Sequence, residues 1–478
     1  MKSCKYFLFL FFVFVSCEKE PNSLETKIHN VETQLTPSAK VLGEENIYYD
    51  IIERMAFYRV PAVSIAIIAD GKVEWAKAYG YKSKDDYQDA DTATRFQAGP
   101  VSQFVSAAAA LTLVDQGKLS LDDNVNNHLT DWKLRSNSFN EKIPVTLRRL
   151  LTHTSGLKPV RIEGYSTDEE EISFMKCLGD ATADFDTVPG SLTMYNPGGF
   201  SVVQKLVEDA SGQSFNDAVN TLVFSKIDMK NSTFVSPMRP ALNDNVAQGY
   251  SGREQKIKGG WKNFPSTGSL GLWTTPSDLA QLIVHLQQSF TGRGSTFLSD
   301  SLTREMLSRQ NVKDWGLGVP IVGSDSTLAF RFGGSNEGFF CGVFAYANLD
   351  MGVVIMMNSE NGSDLSAEIL RSISNNYKWK DFLQETKKPI RLTAKQLQAL
   401  EGSYRMYEGD REMIVDIEVV EKGLLAKQKW NGEEILLYPE SQFDFFVRDG
   451  APVKFLRSES DSIVGLNAFN KFQFKRIK

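Results

Sequence analysis

The 478-residue chain is poor in the residues that metal and redox chemistry require, with four cysteines and four histidines. Neither CxxC nor HExxH occurs, so nothing points to a metal site, and no cofactor is expected. G-x-S-x-G is missing, which removes the nucleophile-elbow hydrolases. Lysine and arginine (53) are outnumbered by aspartate and glutamate (59), for a net charge of −6. That balance lacks the basic footprint of a nucleic-acid partner. Beyond residue 17 no apolar run approaches the roughly 20 residues a membrane-spanning helix needs. What remains is a composition that can bury a core, 42% hydrophobic and 11% aromatic, and long enough for two or more domains.

The first residues differ from the rest. "MKSCKYFLFLFFVFVSC" places Lys2 and Lys5 before the apolar run Tyr6–Val15, then small Ser16 and Cys17. This is the layout of a secretory signal peptide over residues 1–16. The small residue followed by cysteine resembles the lipobox of bacterial lipoproteins, although Phe14 departs from that pattern. The resemblance implies cleavage before Cys17, lipid attachment there, and a place in the bacterial envelope, facing the periplasm or the cell surface. Residues 17–43 are polar and read as a lipidated tether. Cys177 and Cys341 are left as a pair whose bonding the sequence leaves open.

Ile47, Ile51, Ile52 and Met55 recur at helical spacing, which predicts a helix ending before Pro61. In "AVSIAIIADGKVEWAKAYGY" two apolar runs flank Asp70-Gly71, a strong hairpin signal. "PVSQFVSAAAALTLVDQG" is alanine-rich helix closed by Gly117. "GFFCGVFAYANLDMGVVIMMN" reads as a second hairpin turning at Asn348-Leu349-Asp350. Strands at both ends with helices between predict one sheet backed by a helical region. Near residue 380 the pattern changes to short alternating segments, among them "MIVDIEVV", "GLLAKQKW", "VKFLR" and "FQFKRI". These predict a small antiparallel barrel or sandwich over 390–478.

Seven stretches in order, "VPAVSIAIIADGKVEWAKAYGY", "LVDQGKLSLDDNV", "LRRLLTHTSGL", "VAQGY", "GSLGLWTTPSDLAQLI", "WGLGV" and "GGSNEGF", carry a resemblance to the serine β-lactamase-related hydrolases. Class C β-lactamases, DD-peptidases and related esterases belong to that group. The resemblance covers 44–378 and implies an α/β (α+β) domain whose antiparallel sheet is flanked by helices.

It also implies three catalytic motifs, and this chain departs from each. The S-x-x-K positions at the start of the alanine-rich helix hold Pro100 and Gln103. Proline has no nucleophile, though it suits the first turn of a helix. Glutamine cannot act as a general base. Ser102 lies about 200° around the helix from the expected nucleophile, and Ser106 begins no S-x-x-K. The Y-x-N motif keeps Tyr195, expected as a packed aromatic with its hydroxyl bonded, while Pro197 replaces the amide. At the Lys-Thr-Gly or His-x-Gly strand, Phe332 stands at the cationic position, followed by Gly333 and Gly334. S-x-x-K also occurs at Ser16, Ser155 and Ser173, none in a fitting context.

The leading expectation is therefore a non-catalytic envelope lipoprotein that binds or scaffolds, with Pro100, Gln103, Tyr195, Pro197, Phe332, Gly333 and Gly334 as vestigial site positions. Its expected partners are the membrane, through the lipid, and a small molecule, peptide or envelope protein. Phe200, Phe332, Phe339 and Phe340 either line an apolar pocket or fill core. An enzyme with replaced chemistry through Tyr195, and a binding module in the C-terminal β domain, remain open. His153 is expected to support a turn, and Asp168–Glu171 to begin a solvated helix.

Overall fold

The computed structural model describes residues 23–238, 245–294, 297–310 and 314–477. The signal peptide and Cys17 lie outside them. Contacts divide the chain at 51/52 and 366/367 into two compact units, instead of near residue 390. Among the described residues no helix is long and apolar enough to cross a membrane.

Residues 52–366 form a seven-stranded sheet with helices. Its strands are β1 (Ala62–Ala69), β2 (Lys72–Ser83), β3 (Gln88–Asp89), β4 (Ile321–Val322), β5 (Ala329–Asn336), β6 (Phe339–Tyr346) and β7 (Gly352–Met357). The spatial order is β3-β2-β1-β7-β6-β5-β4, every pair antiparallel. Asp70 (φ 51°) and Gly71 (φ 71°) both take left-handed backbone in the first hairpin. Two such residues give the turn whose twist matches the flanking strands. All eight residues of β1 are buried, as a central strand packed on both faces requires. The backbone N–H of Ala62 donates to Asn358 Oδ1 at 2.7 Å, across 296 residues of chain.

The alanine-rich segment forms the helix Ser102–Asp115, preceded by a tight turn over Gly99–Val101. It is buried on every side, from Ser102 through Leu113. Alanine keeps the helix thin enough for neighbours to close around it. At its end Gly117 (φ 68°) donates to Val114 O and Lys118 N to Leu113 O, both at 2.9 Å. Those two bonds satisfy carbonyls that the helix leaves without partners.

The second unit corrects the reading of 17–43 as a tether. Leu24–Thr33 is a helix, capped by Ser23, whose side chain accepts from Thr26 N. Ala39–Val41 pairs in parallel with Glu385–Lys387. Val31 and Leu35 are buried and share helical spacing with Ile28, a stripe masked by polar neighbours. Arg371 Nε donates to Thr36 O and Ser372 Oγ to Val31 O, which fixes the segment to the later chain.

The C-terminal strands close into an eight-stranded barrel: β8 (Gly402–Glu408), β9 (Arg411–Val420), β10 (Gly423–Gln428), β11 (Glu434–Pro439), β12 (Asp444–Phe446), β13 (Pro452–Arg457), β14 (Ile463–Ala468) and β15 (Phe472–Arg476). Closure is made by β8 against β15, with Tyr404 opposite Arg476. Leu397 and Leu400, from the short helix Ala394–Gln398 and just beyond it, pack with Tyr404, Phe445 and Phe455.

Candidate functional site

The chain turns into the alanine-rich helix through Gly99 (φ 54°) and Pro100. This helix start adjoins β5. A Cβ on Gly334 would lie 2.6 Å from Ala98 O and 2.9 Å from Pro100 Cδ, so only glycine lets the strand pass there. Gly333 faces open space, with nothing within 4 Å of the position its Cβ would take. The structure thus brings the first and third motif positions together.

No hydroxyl on the first helical turn is available. Ser102 is fully buried, and its Oγ donates to Gly99 O at 2.6 Å while accepting from Leu272 N at 3.0 Å. Ser106 Oγ is 2.9 Å from Ser102 O and 2.7 Å from Gly268 O. Both hydroxyls hold the helix start in place. The alternative S-x-x-K serines are also structural: Ser155 is buried within the His153 turn, and Ser173 caps Phe174–Ala181.

Gln103 is fully buried, and its Nε2 donates to Tyr195 Oη at 2.8 Å. Its Oε1 is buried without a partner. Tyr195 differs from the packed aromatic expected of it. Its hydroxyl is bonded, but 44% of the residue is exposed. Desolvation of the hydroxyl end still pushes the phenol pKa up to about 12, only partly offset by the Gln103 bond. A phenol so placed is no base at neutral pH.

Asn196, one residue before Pro197, does not rescue the missing amide. Its Nδ2 donates to Leu157 O and Lys158 O, and its Oδ1 accepts from Gly198 N. His153 takes left-handed backbone (φ 56°) and its O accepts from Met194 N. Its Nδ1 accepts from Asn196 N at 3.2 Å, while Nε2 is buried without a partner. Burial lowers its pKa to about 3, so the imidazole is neutral at physiological pH. His153 supports the segment that carries Tyr195.

Trp315, within the stretch "WGLGV", joins this cluster. Its ring centroid lies 4.5 Å from His153, 6.3 Å from Tyr195 in a stacked arrangement, and 6.2 Å from Phe332 edge-on. Phe332 is buried, a ring in the core. Phe200 packs on His153 and Phe339 on Trp273, both fully buried. Sequence reasoning placed Trp315 only as a landmark, because nothing local shows that it meets residues more than a hundred positions earlier.

The acidic run is not a helix start. The helix begins at Phe174, and Asp168–Glu171 lie in a turn and the chain after it. Glu169 accepts from Ser166 N and pairs with Lys258 and Lys262, which holds its carboxyl down at about 2. Ser173, beyond the carboxylates, is the actual cap. Cys177 and Cys341 are separate buried thiols, not a disulfide. Burial raises both, Cys177 to about 11.

The sheet, the buried alanine-rich helix and the three converging motif positions define a serine-hydrolase-type α/β architecture. A family model described as Beta-lactamase matches residues 50–374, and the chain belongs to that family. Teichoic acid D-alanine hydrolase of Staphylococcus aureus is 23% identical over 380 residues, covering 74% of this chain and 90% of that protein. Protein flp of Staphylococcus aureus (strain MW2) is 24% identical over 223 residues, covering 46% and 42%. Among solved structures, the octameric penicillin-binding protein homologue from Pyrococcus abyssi superposes with a TM-score of 0.61 at 20% identity, covering 89% of this chain and 98% of that one. FmtA from Staphylococcus aureus gives 0.55 at 20% identity, covering 72% and 91%. These likenesses establish the fold.

Proposed function

We propose that the chain is a non-hydrolytic member of the Beta-lactamase family, lipid-anchored at Cys17 in a bacterial envelope, that binds a ligand or partner instead of turning one over. One observation carries this reading. Pro100 and Gln103 occupy the nucleophile and base positions, and the Gln103 amide is committed to the Tyr195 hydroxyl at 2.8 Å. Catalysis through Tyr195 is opposed by a phenol pKa of about 12. The relative named for teichoic acid D-alanine supports an envelope setting.

The test is incubation of the purified mature protein with a fluorescent penicillin and a fluorophosphonate, read by intact mass. Folded protein without an adduct is the expected result. A stoichiometric adduct mapped to a serine overturns the reading.

A further inference from the structure

The C-terminal barrel holds a cavity of about 240 Å³. An eight-stranded barrel is either filled by its own side chains or just wide enough for one small ligand. This one does both, at different levels. Around Tyr404 it is filled by Phe445, Phe455, Leu397 and Leu400. Toward the hairpins that follow β8, β10 and β14 the interior is open, lined by buried Ala426, Val453 and Leu466 and by half-buried Met406, Met413, Trp430 and Phe472.

Inward residues alternate along β9 as Met413, Val415 and Ile417, so the lining runs roughly 13 Å along that strand. The cavity is larger than the ~150 Å³ apolar void that takes up a small hydrocarbon. Methionine at the rim adapts to varied apolar shapes. Apart from the indole N–H of Trp430, Gln428 brings the polar group in the lining, and it lies at the end of β10 beside the mouth.

We propose that the barrel interior is a binding site for one unbranched aliphatic chain, entering past Met406, Met413, Trp430 and Phe472 with its polar end at Gln428. A linear chain fits the depth, the apolar wall and the amide of Gln428 at the rim. A sugar or peptide would strand polar groups against that wall. The site stands independently of what the larger unit does.

The full mature protein is incubated with a decanoic acid analogue bearing a terminal diazirine, irradiated and mapped by peptide mass. One saturable adduct per chain, within residues 402–476 and displaced by decanol, is expected. Ala426→Phe fills the cavity and should weaken binding about tenfold or more, with the thermal midpoint retained. If that variant does not fold, Ala468→Phe, also on the lining, and the wild-type adduct map decide the matter. Adducts outside the barrel, non-saturating labelling, or undiminished binding in a folded variant overturn the proposal. So does binding to phosphatidylglycerol vesicles without uptake of the free amphiphile.

Discussion

The buried amide of Gln103 and the desolvated hydroxyl of Tyr195 are joined by a 2.8 Å hydrogen bond between two positions that, in the resembled hydrolases, would move a proton. Because the Gln103 Oε1 already lacks a partner, Tyr195→Phe would leave the whole amide stranded. That variant should lose about 1–3 kcal/mol, the usual penalty for an unsatisfied buried polar group. Gln103→Leu removes the stranded amide and should stay within about 1 kcal/mol of wild type. In the Gln103→Leu background, Tyr195→Phe should have little further effect. A urea-denaturation double-mutant cycle reads all three, and additive losses would refute the coupling.

The pKa of His153 is about 3 in the fold, against about 6.5 in an unfolded chain. The unfolded state therefore binds the extra proton first, and stability is lost as pH falls from about 6.5 toward 3. The steepest contribution of one such group is about 1.4 kcal/mol per pH unit. His153→Asn keeps a residue type that tolerates the left-handed backbone. Its stability deficit relative to wild type should shrink as pH drops from 7 to 4, in denaturant titrations at each pH. A deficit independent of pH would place the titration elsewhere.

Two adjacent glycines should respond oppositely to alanine. Gly334→Ala drives a methyl group into Ala98 O and the Pro100 ring, and should cost about 1–3 kcal/mol, as overpacking does. Gly333→Ala meets open space and should remain within about 0.5 kcal/mol, as surface changes usually do. Thermal melts of the two variants side by side distinguish them. Equal melting temperatures would mean that β5 does not press on the helix start.

Restoring the first motif tests whether the mould still works. Pro100→Ser alone lacks a base and should stay unlabelled by fluorescent penicillin. Pro100→Ser with Gln103→Lys puts a desolvated amine, its pKa lowered by burial, one turn from a hydroxyl at a helix N-terminus. The double variant should form a slow stoichiometric adduct visible by intact mass. A folded double variant without adduct would show that Pro197 and Phe332 block acylation on their own.

Much of the fold was legible because its signals are local. Asp70-Gly71 specifies its turn without help from elsewhere, and so does Gly117 at its helix end. Pro100 and Gln103 were picked out through the family resemblance, and the structure places them at the start of the buried helix. Four features were not legible. The Leu24–Thr33 helix shows only a thin apolar stripe among polar residues. The first barrel strand, β8, is bracketed by glycines that read as breaks. The Asp168–Glu171 carboxylates suggest a helix N-terminus, yet their lysine partners come from 258 and 262. The cluster of His153, Tyr195, Trp315 and Phe332 depends on chain crossings that no window of sequence contains.

The placement of β1 between β2 and β7 has a consequence for biogenesis. The fully buried strand β1 emerges early from the ribosome, but its second neighbour, β7, follows only after almost three hundred more residues, as the Ala62–Asn358 bond measures. Until then one edge of a largely apolar strand stands open, the kind of unpaired edge that invites aggregation. A chain built this way is exposed to mispairing until β7 has been made. Its sheet is closed by the last strand made, so truncation before β7 removes the partner of the central strand and not merely an edge.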